Sequence, residues 1–222
     1  MQREAAVVRF LVVSVGFVLV GGLAALVTEQ LALHASINAH HTAWADLFFR
    51  YFTHLADGLV PTALSLLLLM KDMRSFLMMG LSCGLSALIT QFLKRVVFDS
   101  HDRPAMFRDE LGTMQWVQDV DLHNHLSFPS GHSTAAWSMC FALAIIIGSG
   151  RWAIPLAFCA ALLAFSRVYL SQHFTEDVVF GALIGTLCAL AMYLWLYRSS
   201  FSKRPWLQRV PGRSEPIPGS KR

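Results

Sequence analysis

The sequence predicts an all-α fold, a six-transmembrane-helix bundle with an outer interfacial helical segment and a long outer loop. Three observations carry that prediction. First, 55% of the 222 residues are hydrophobic and 14% are charged, whereas a soluble domain carries about a quarter charged residues. Second, the apolar residues gather into stretches that approach the ~20 residues a helix needs to cross hydrocarbon. Third, lysine and arginine are distributed asymmetrically around those stretches.

The first stretch, residues 7–27, follows Arg3 and Arg9. It is long for a signal-peptide core and ends without a small-residue cleavage site, so it reads as a retained span. In residues 41–57, Trp44, Leu47, Phe48, Tyr51, Phe52 and Leu55 fall at helical spacing, with Asp46, Arg50 and His54 off that face. Such a segment lies along an interface or extends the second span outward. Further spans are read at 58–70 with flanks, 76–97, 134–147, 153–169 and 178–197. Backbone groups cannot stay unpaired in lipid, so all of these are helices. Gly80-x3-Gly84 and Gly181-x3-Gly185 permit close helix packing. Cys83, Cys140, Cys159 and Cys188 sit in apolar runs without metal-ligand spacing and read as small buried hydrophobes.

Six spans put both termini on one side. That side collects 12 of the 18 lysines and arginines and three of the 14 acids. The termini are therefore expected in the cytoplasm, and the opposite side holds all nine histidines. Residues 1–200 read as one domain and 201–222 as a basic, disordered tail near anionic headgroups. The pI of about 9.1 comes from this tail and the span flanks, which leaves a nucleic-acid role without support.

Three clusters carry chemistry. Lys94-Arg95 precedes Arg103-Pro104; Pro129-Ser130-Gly131-His132 opens the fourth span; Ser166-Arg167 is followed by His173 and Asp177. The span map, drawn from hydropathy, brings all three to the outer face. A phosphoryl group in transfer spreads negative charge over its oxygens, so its catalysis is mostly positioning and charge stabilisation. Lys94, Arg103 and Arg167 offer cations, and Ser130 and Gly131 offer the N-terminus of a helix. Two histidines fit a nucleophile and a proton donor. Asp177 shares a helical face with His173 and can accept its imidazole N–H. Each residue also has a plainer reading. Ser130 can be an N-cap, Arg167 can snorkel to headgroups, and His173 can cap a helix. His123-Asn124-His125 lacks a third metal ligand at a sensible offset.

Pro129-Ser130-Gly131-His132 and Ser166-Arg167-x5-His173-x3-Asp177 resemble two signatures of the type 2 phosphatidic acid phosphatase superfamily. That superfamily includes lipid phosphate phosphatases, glucose-6-phosphatase and vanadium haloperoxidases. Its first signature, Lys-x6-Arg-Pro, is matched imperfectly. Arg103-Pro104 is present, but Lys94 and Arg95 lie nine and eight residues before Arg103. Lys94 is the favoured phosphate ligand over Arg95, with residues 98–102 forming a longer linker. The resemblance implies His173 as nucleophile, Asp177 as its orienting partner and His132 as general acid and then base. It implies Lys94, Arg103, Ser130, Gly131 and Arg167 as phosphate ligands, with no metal and no cofactor. The acidic loop at 99–128 becomes a periplasmic loop over the active site.

The function expected on this basis is a lipid phosphatase in a bacterial inner membrane. Candidate substrates are undecaprenyl pyrophosphate, phosphatidylglycerol phosphate, phosphatidic acid and lipid A phosphate. The alternatives are phosphotransfer to a hydroxyl through the same phosphohistidine, and non-catalytic binding or transport of phosphorylated lipids. A paired nucleophile and acid argues against the last. The resemblance offers no vanadate-specific feature that would favour a haloperoxidase.

Overall fold

The computed structural model describes residues 2–112 and 114–211, and every regular element among them is helical. In chain order the helices are α1 (Gln2–Val27), α2 (Gln30–Ile37), α3 (Ala43–Phe52), α4 (Leu59–Leu68), α5 (Met73–Phe92), α6 (Arg108–Leu111), α7 (Gly131–Ile147), α8 (Gly150–Tyr169) and α9 (Thr175–Tyr193). A π-helical turn prolongs α5 over Leu93–Val97, and another prolongs α9 over Leu194–Arg198.

With those turns included, α1, α5, α8 and α9 are long and apolar enough to cross a membrane. The other two expected spans, α4 and α7, are apolar but shorter, at 10 and 17 residues.

Helix α7 is the axis of the bundle and packs against α5, α8 and α9, with α1 closing the far side. Its aromatic side chains Trp137 and Phe141 are fully buried, and Phe10 of α1 stacks on Phe141 at 4.4 Å. Glycine makes the α7–α9 approach possible. A Cβ on Gly181 would stand 2.6 Å from the Ser130 carbonyl oxygen, and one on Gly185 would stand 2.4 Å from that of Thr134. The Gly181-x3-Gly185 spacing is therefore internal packing. At the other end of α7, Gly148 turns left-handed (φ +69°). There Arg3 Nε donates to the Ile145 carbonyl at 2.9 Å and Lys71 Nζ to that of Ile146 at 3.2 Å. These cations satisfy carbonyls that a helix end leaves without intrahelical partners.

The amphipathic segment is a helix of its own and not an outer extension of the second span. Thr42 caps α3, and a 3-10 turn over Thr53–Ala56 separates it from α4. Phe49 packs inward on Tyr169, while the stripe from Trp44 to Leu55 faces outward, with Trp44 72% exposed.

Helix α2 lacks a strong sequence signal. Glu29 caps it by accepting from the Leu31 and Ala32 N–H groups. It carries the buried His34 onto Phe174 and the Ser171 hydroxyl, bracing the turn before α9.

The expected tail also begins differently. Ser200–Lys203 and Pro205–Gln208 form 3-10 turns, Leu207 is fully buried, and Arg74 donates to the Ser202 carbonyl. Burial of Leu207 holds this stretch against the bundle. The rest of the tail, residues 212–222, lies outside the described residues.

Candidate active site

The residues expected to act together are brought to one end of the bundle. The positive charges of Arg103, Lys94 and Arg167 all bear on His173, and His132 stands beside them. Each arrives on a different element, and each for a local reason.

Lys94 sits in the π-helical turn after α5 and is buried, whereas Arg95 is exposed. The wider π turn accommodates part of the extra spacing before Arg103, and the remainder forms a turn at 98–100. Of the two cations it is Lys94 that is buried beside the other clustered residues, and the extra length lies partly inside the helix and not wholly in the linker.

Arg103 is held by the loop that follows it. Its backbone N–H donates to Asn124 O at 2.7 Å, and its Nε to His125 O at 2.9 Å. Its Nη1 reaches both the carbonyl and Oε1 of Gln172 at 3.3 Å. The Ser127 N–H donates to His101 O at 2.8 Å, so residues 101–103 and 124–127 are laced together beside the site. Within that lacing His125 is bonded to Asp102 at 2.6 Å. Among the described residues, no group of three His, Cys, Asp or Glu is placed to hold a metal ion.

Ser130 is the N-cap of α7 and fully buried. Its own N–H donates to the backbone carbonyl of Asp177 at 3.0 Å, tying the starts of α7 and α9 together. A Cβ on Gly131 would meet nothing within 4 Å. The helix therefore opens onto free space, where its first N–H groups and dipole favour an anion. Arg167, buried on α8, donates from Nη1 to Thr53 Oγ1 at 2.8 Å. Its Nε is buried and has no partner among the described residues, a donor that an anion can satisfy.

His173 lies in the turn between α8 and α9 and is 1% exposed. Its Nδ1 is 3.1 Å from Asp177 Oδ2. That carboxylate also accepts from the Phe174 N–H at 2.9 Å and from the Ser127 hydroxyl. An imidazole that gives Nδ1–H to Asp177 keeps Nε2 as its free lone pair. Burial first, and then the charges of Arg103, Lys94 and Arg167, hold the His173 pKa well below its ordinary value. The ring is thus neutral at physiological pH, the state a nucleophile needs.

His132 has a carboxylate partner of its own. Its Nε2 is 2.6 Å from Asp57 Oδ1, and Asp57 Oδ2 is 2.7 Å from His54 Nδ1. Burial pulls the Asp57 carboxyl upward, but the His54 bond and the adjacent His132 outweigh it and hold the carboxyl below its usual range. Asp57, Thr53, Ser127 and Gln172 are site residues that sequence reasoning missed. The first two lie in the half of the chain without motifs, and no periodicity marks them.

A cavity of about 430 Å³ lies over His132 and Arg167, walled by Thr53, His54, Asp57, His123 and Gln172 among others. Asp57 and His132 also border a second cavity of about 240 Å³, which reaches Thr90 and Cys83. That cavity shares Gly58, Cys83, Ala87 and Ala135 with an apolar groove of about 360 Å³ between α4 and α5. A separate apolar groove of about 480 Å³, between α1, α8 and α9, borders none of the clustered residues.

Known proteins resemble this chain. The lipid A 1-phosphatase of Rhizobium johnstonii is 30% identical over 105 residues, which is 47% of this chain and 41% of that protein. The putative undecaprenyl-diphosphatase YbjG of Escherichia coli is 38% identical over 97 residues, 43% of this chain and 45% of that protein. The match thus spans less than half the length of either relative. Among solved structures, LpxE from Aquifex aeolicus superposes with a TM-score of 0.60 at 26% identity, covering 73% of this chain and 93% of that one. A transmembrane PAP2-type phosphatidylglycerolphosphate phosphatase from Bacillus subtilis gives 0.58 at 21% identity, covering 86% and 94%; that likeness concerns the fold alone. The apolar helices, in a fold shared with a transmembrane protein, make this an integral membrane protein. The PAP2 superfamily model matches residues 75–201, from the start of α5 to just beyond α9, and the chain belongs to that superfamily.

Proposed function

We propose that this chain is a membrane phosphatase that hydrolyses the phosphate ester or pyrophosphate of a lipid through a phosphohistidine on His173. The carrying observation is the neutral, buried His173, bonded to Asp177 and ringed by positive groups. In the proposed reaction the Nε2 lone pair attacks phosphorus and the bond to the leaving oxygen breaks. His132 gives that oxygen its proton. His132 then takes a proton from water, whose oxygen attacks phosphorus as the P–N bond breaks. Phosphate leaves and His173 returns neutral. Lys94, Arg103 and Arg167, with the Ser130 hydroxyl and the Gly131 N–H, hold the phosphoryl oxygens throughout. No metal enters this scheme, because side chains and backbone supply the charge.

The cavities support a lipid substrate. A phosphate in the polar cavity beside His132 can trail its chain through the smaller cavity into the α4–α5 groove, whose lining is mostly apolar. We read α4 and α7 as short spans, giving six in all. The charge asymmetry supports cytoplasmic termini and an outward-facing site in the inner membrane of a bacterium. In that orientation the loop at 99–128 is a periplasmic cover, and the exposed stripe of α3 rests in the outer headgroup layer. The named relatives act on lipid A and, putatively, undecaprenyl diphosphate. An outward-facing site suits hydrolysis of a carrier pyrophosphate, our first choice ahead of lipid A phosphate, phosphatidylglycerol phosphate and phosphatidic acid.

The test is phosphate release by purified protein in detergent, with chelator present, across these lipids. Wild type should release phosphate, and His173→Ala should lose activity by at least about a hundredfold while melting normally. A folded His173→Ala protein with near-normal turnover would remove His173 as nucleophile. Lipid product formed without phosphate release, only when an acceptor alcohol is added, would favour phosphotransfer.

A further inference from the structure

The site contains a second histidine–carboxylate couple, and it comes from outside the signature motifs. We infer that Asp57 is a positioning residue for His132, doing for the proton donor what Asp177 does for the nucleophile. This rests on the phosphatase reading and deepens it.

Three observations carry the inference. The first is the bond itself, His132 Nε2 to Asp57 Oδ1 at 2.6 Å. A carboxylate on one imidazole nitrogen fixes the tautomer and stabilises the imidazolium. With Nε2–H committed to Asp57, Nδ1 carries the proton that moves.

The second is how firmly Asp57 is held. Its backbone N–H donates to His54 O at 3.1 Å, and its carbonyl accepts from the Val60 N–H at 3.0 Å. Its second carboxylate oxygen is bonded to His54 Nδ1 at 2.7 Å. The residue is thus fixed between a 3-10 turn and the start of α4.

The third is what else that turn does. Thr53, four residues earlier, accepts from Arg167 at 2.8 Å. One turn therefore supplies partners to two separate site groups, on α7 and α8. A solvated surface acid would show no such double engagement.

The chemistry gives a selective test. The bond to an alkyl oxygen needs a proton as it breaks, whereas 4-nitrophenolate leaves without one. For a ping-pong enzyme kcat/KM extends only through loss of the leaving group, the step in which His132 is the acid. Purified full-length wild type and Asp57→Asn are compared on a short-chain alkyl phosphate and on 4-nitrophenyl phosphate.

The expected result is a fall in kcat/KM on the alkyl ester at least about tenfold larger than the fall on the aryl ester. In a His132→Gln background, Asp57→Asn should change that ratio no further. Equal losses on both esters, or an additive effect in that background, would overturn the positioning role and leave the phosphatase reading intact. Wild type releasing phosphate from neither these esters nor the lipids of the preceding test would overturn both. If Asp57→Asn does not fold, Asp57→Glu keeps the charge while displacing it. An alkyl-to-aryl ratio below wild type supports the inference, and an unchanged ratio overturns it.

Discussion

At the scale of single residues, the proposed mechanism depends on keeping one histidine neutral among cations. Lys94 serves that proposal in two ways, as an anion ligand and as a charge that depresses the His173 pKa. Lys94→Ala should therefore lower kcat/KM by roughly tenfold to a hundredfold, while Arg95→Ala, on an exposed side chain, should change it little. The pH profile gives the sign. In the proposed mechanism His173 works unprotonated, and its folded pKa lies well below 6.5, so the wild-type acid limb should lie below that value. Removing the Lys94 charge raises the His173 pKa, so activity should fall away at a higher pH than in wild type. A limb that stays in place would separate Lys94 from His173. The histidines, Asp177 and Arg167 were legible in the sequence because each falls in a short motif whose members lie close together along the chain. Asp57 and Thr53 were not, because a contact spanning 75 or 114 residues leaves no local pattern.

Helices carry the next layer of meaning. Hydropathy found α1, α5, α8 and α9 within a few residues of their ends, since an apolar run of that length is stable in little besides a bilayer. It left α2 unmarked, because eight residues held by one Glu29 cap and by tertiary contact give no sustained period. The π turn after α5 was equally hidden, and it is what brings Lys94, and not Arg95, into the cluster. The two glycine pairs look alike in sequence but differ in space. Gly181 and Gly185 meet the backbone of α7, while Gly84 lines the α4–α5 groove with nothing within 4 Å of a Cβ placed there. Gly84→Leu should then fold normally, since the added side chain enters open volume. It should raise KM several-fold for a long-chain lipid phosphate and leave a short-chain ester unaffected. Equal effects on both would remove the groove from the path of the lipid chain.

At the scale of the whole molecule, the fold is a bundle around one short axis. Hydropathy foretold its four long apolar helices, but it does not report depth. Helix α7 has 17 residues, which at 1.5 Å per residue is roughly 25 Å, against about 30 Å of hydrocarbon. Its inner end is fixed by Arg3 and Lys71, whose charges keep to the aqueous side. In the proposed orientation its outer end, where Ser130 and Gly131 begin the helix, would stop several ångströms beneath the level of the surrounding headgroups. The proposed lipid substrate would then have to sink below its neighbours to react, and the bilayer to dimple. Turnover in vesicles should accordingly be faster in thin bilayers of short-chain phospholipid than in thick ones, at equal substrate density. On the proposed function the membrane's own stiffness would become part of the activation barrier, and a cell that lengthens its acyl chains would slow this protein without touching it.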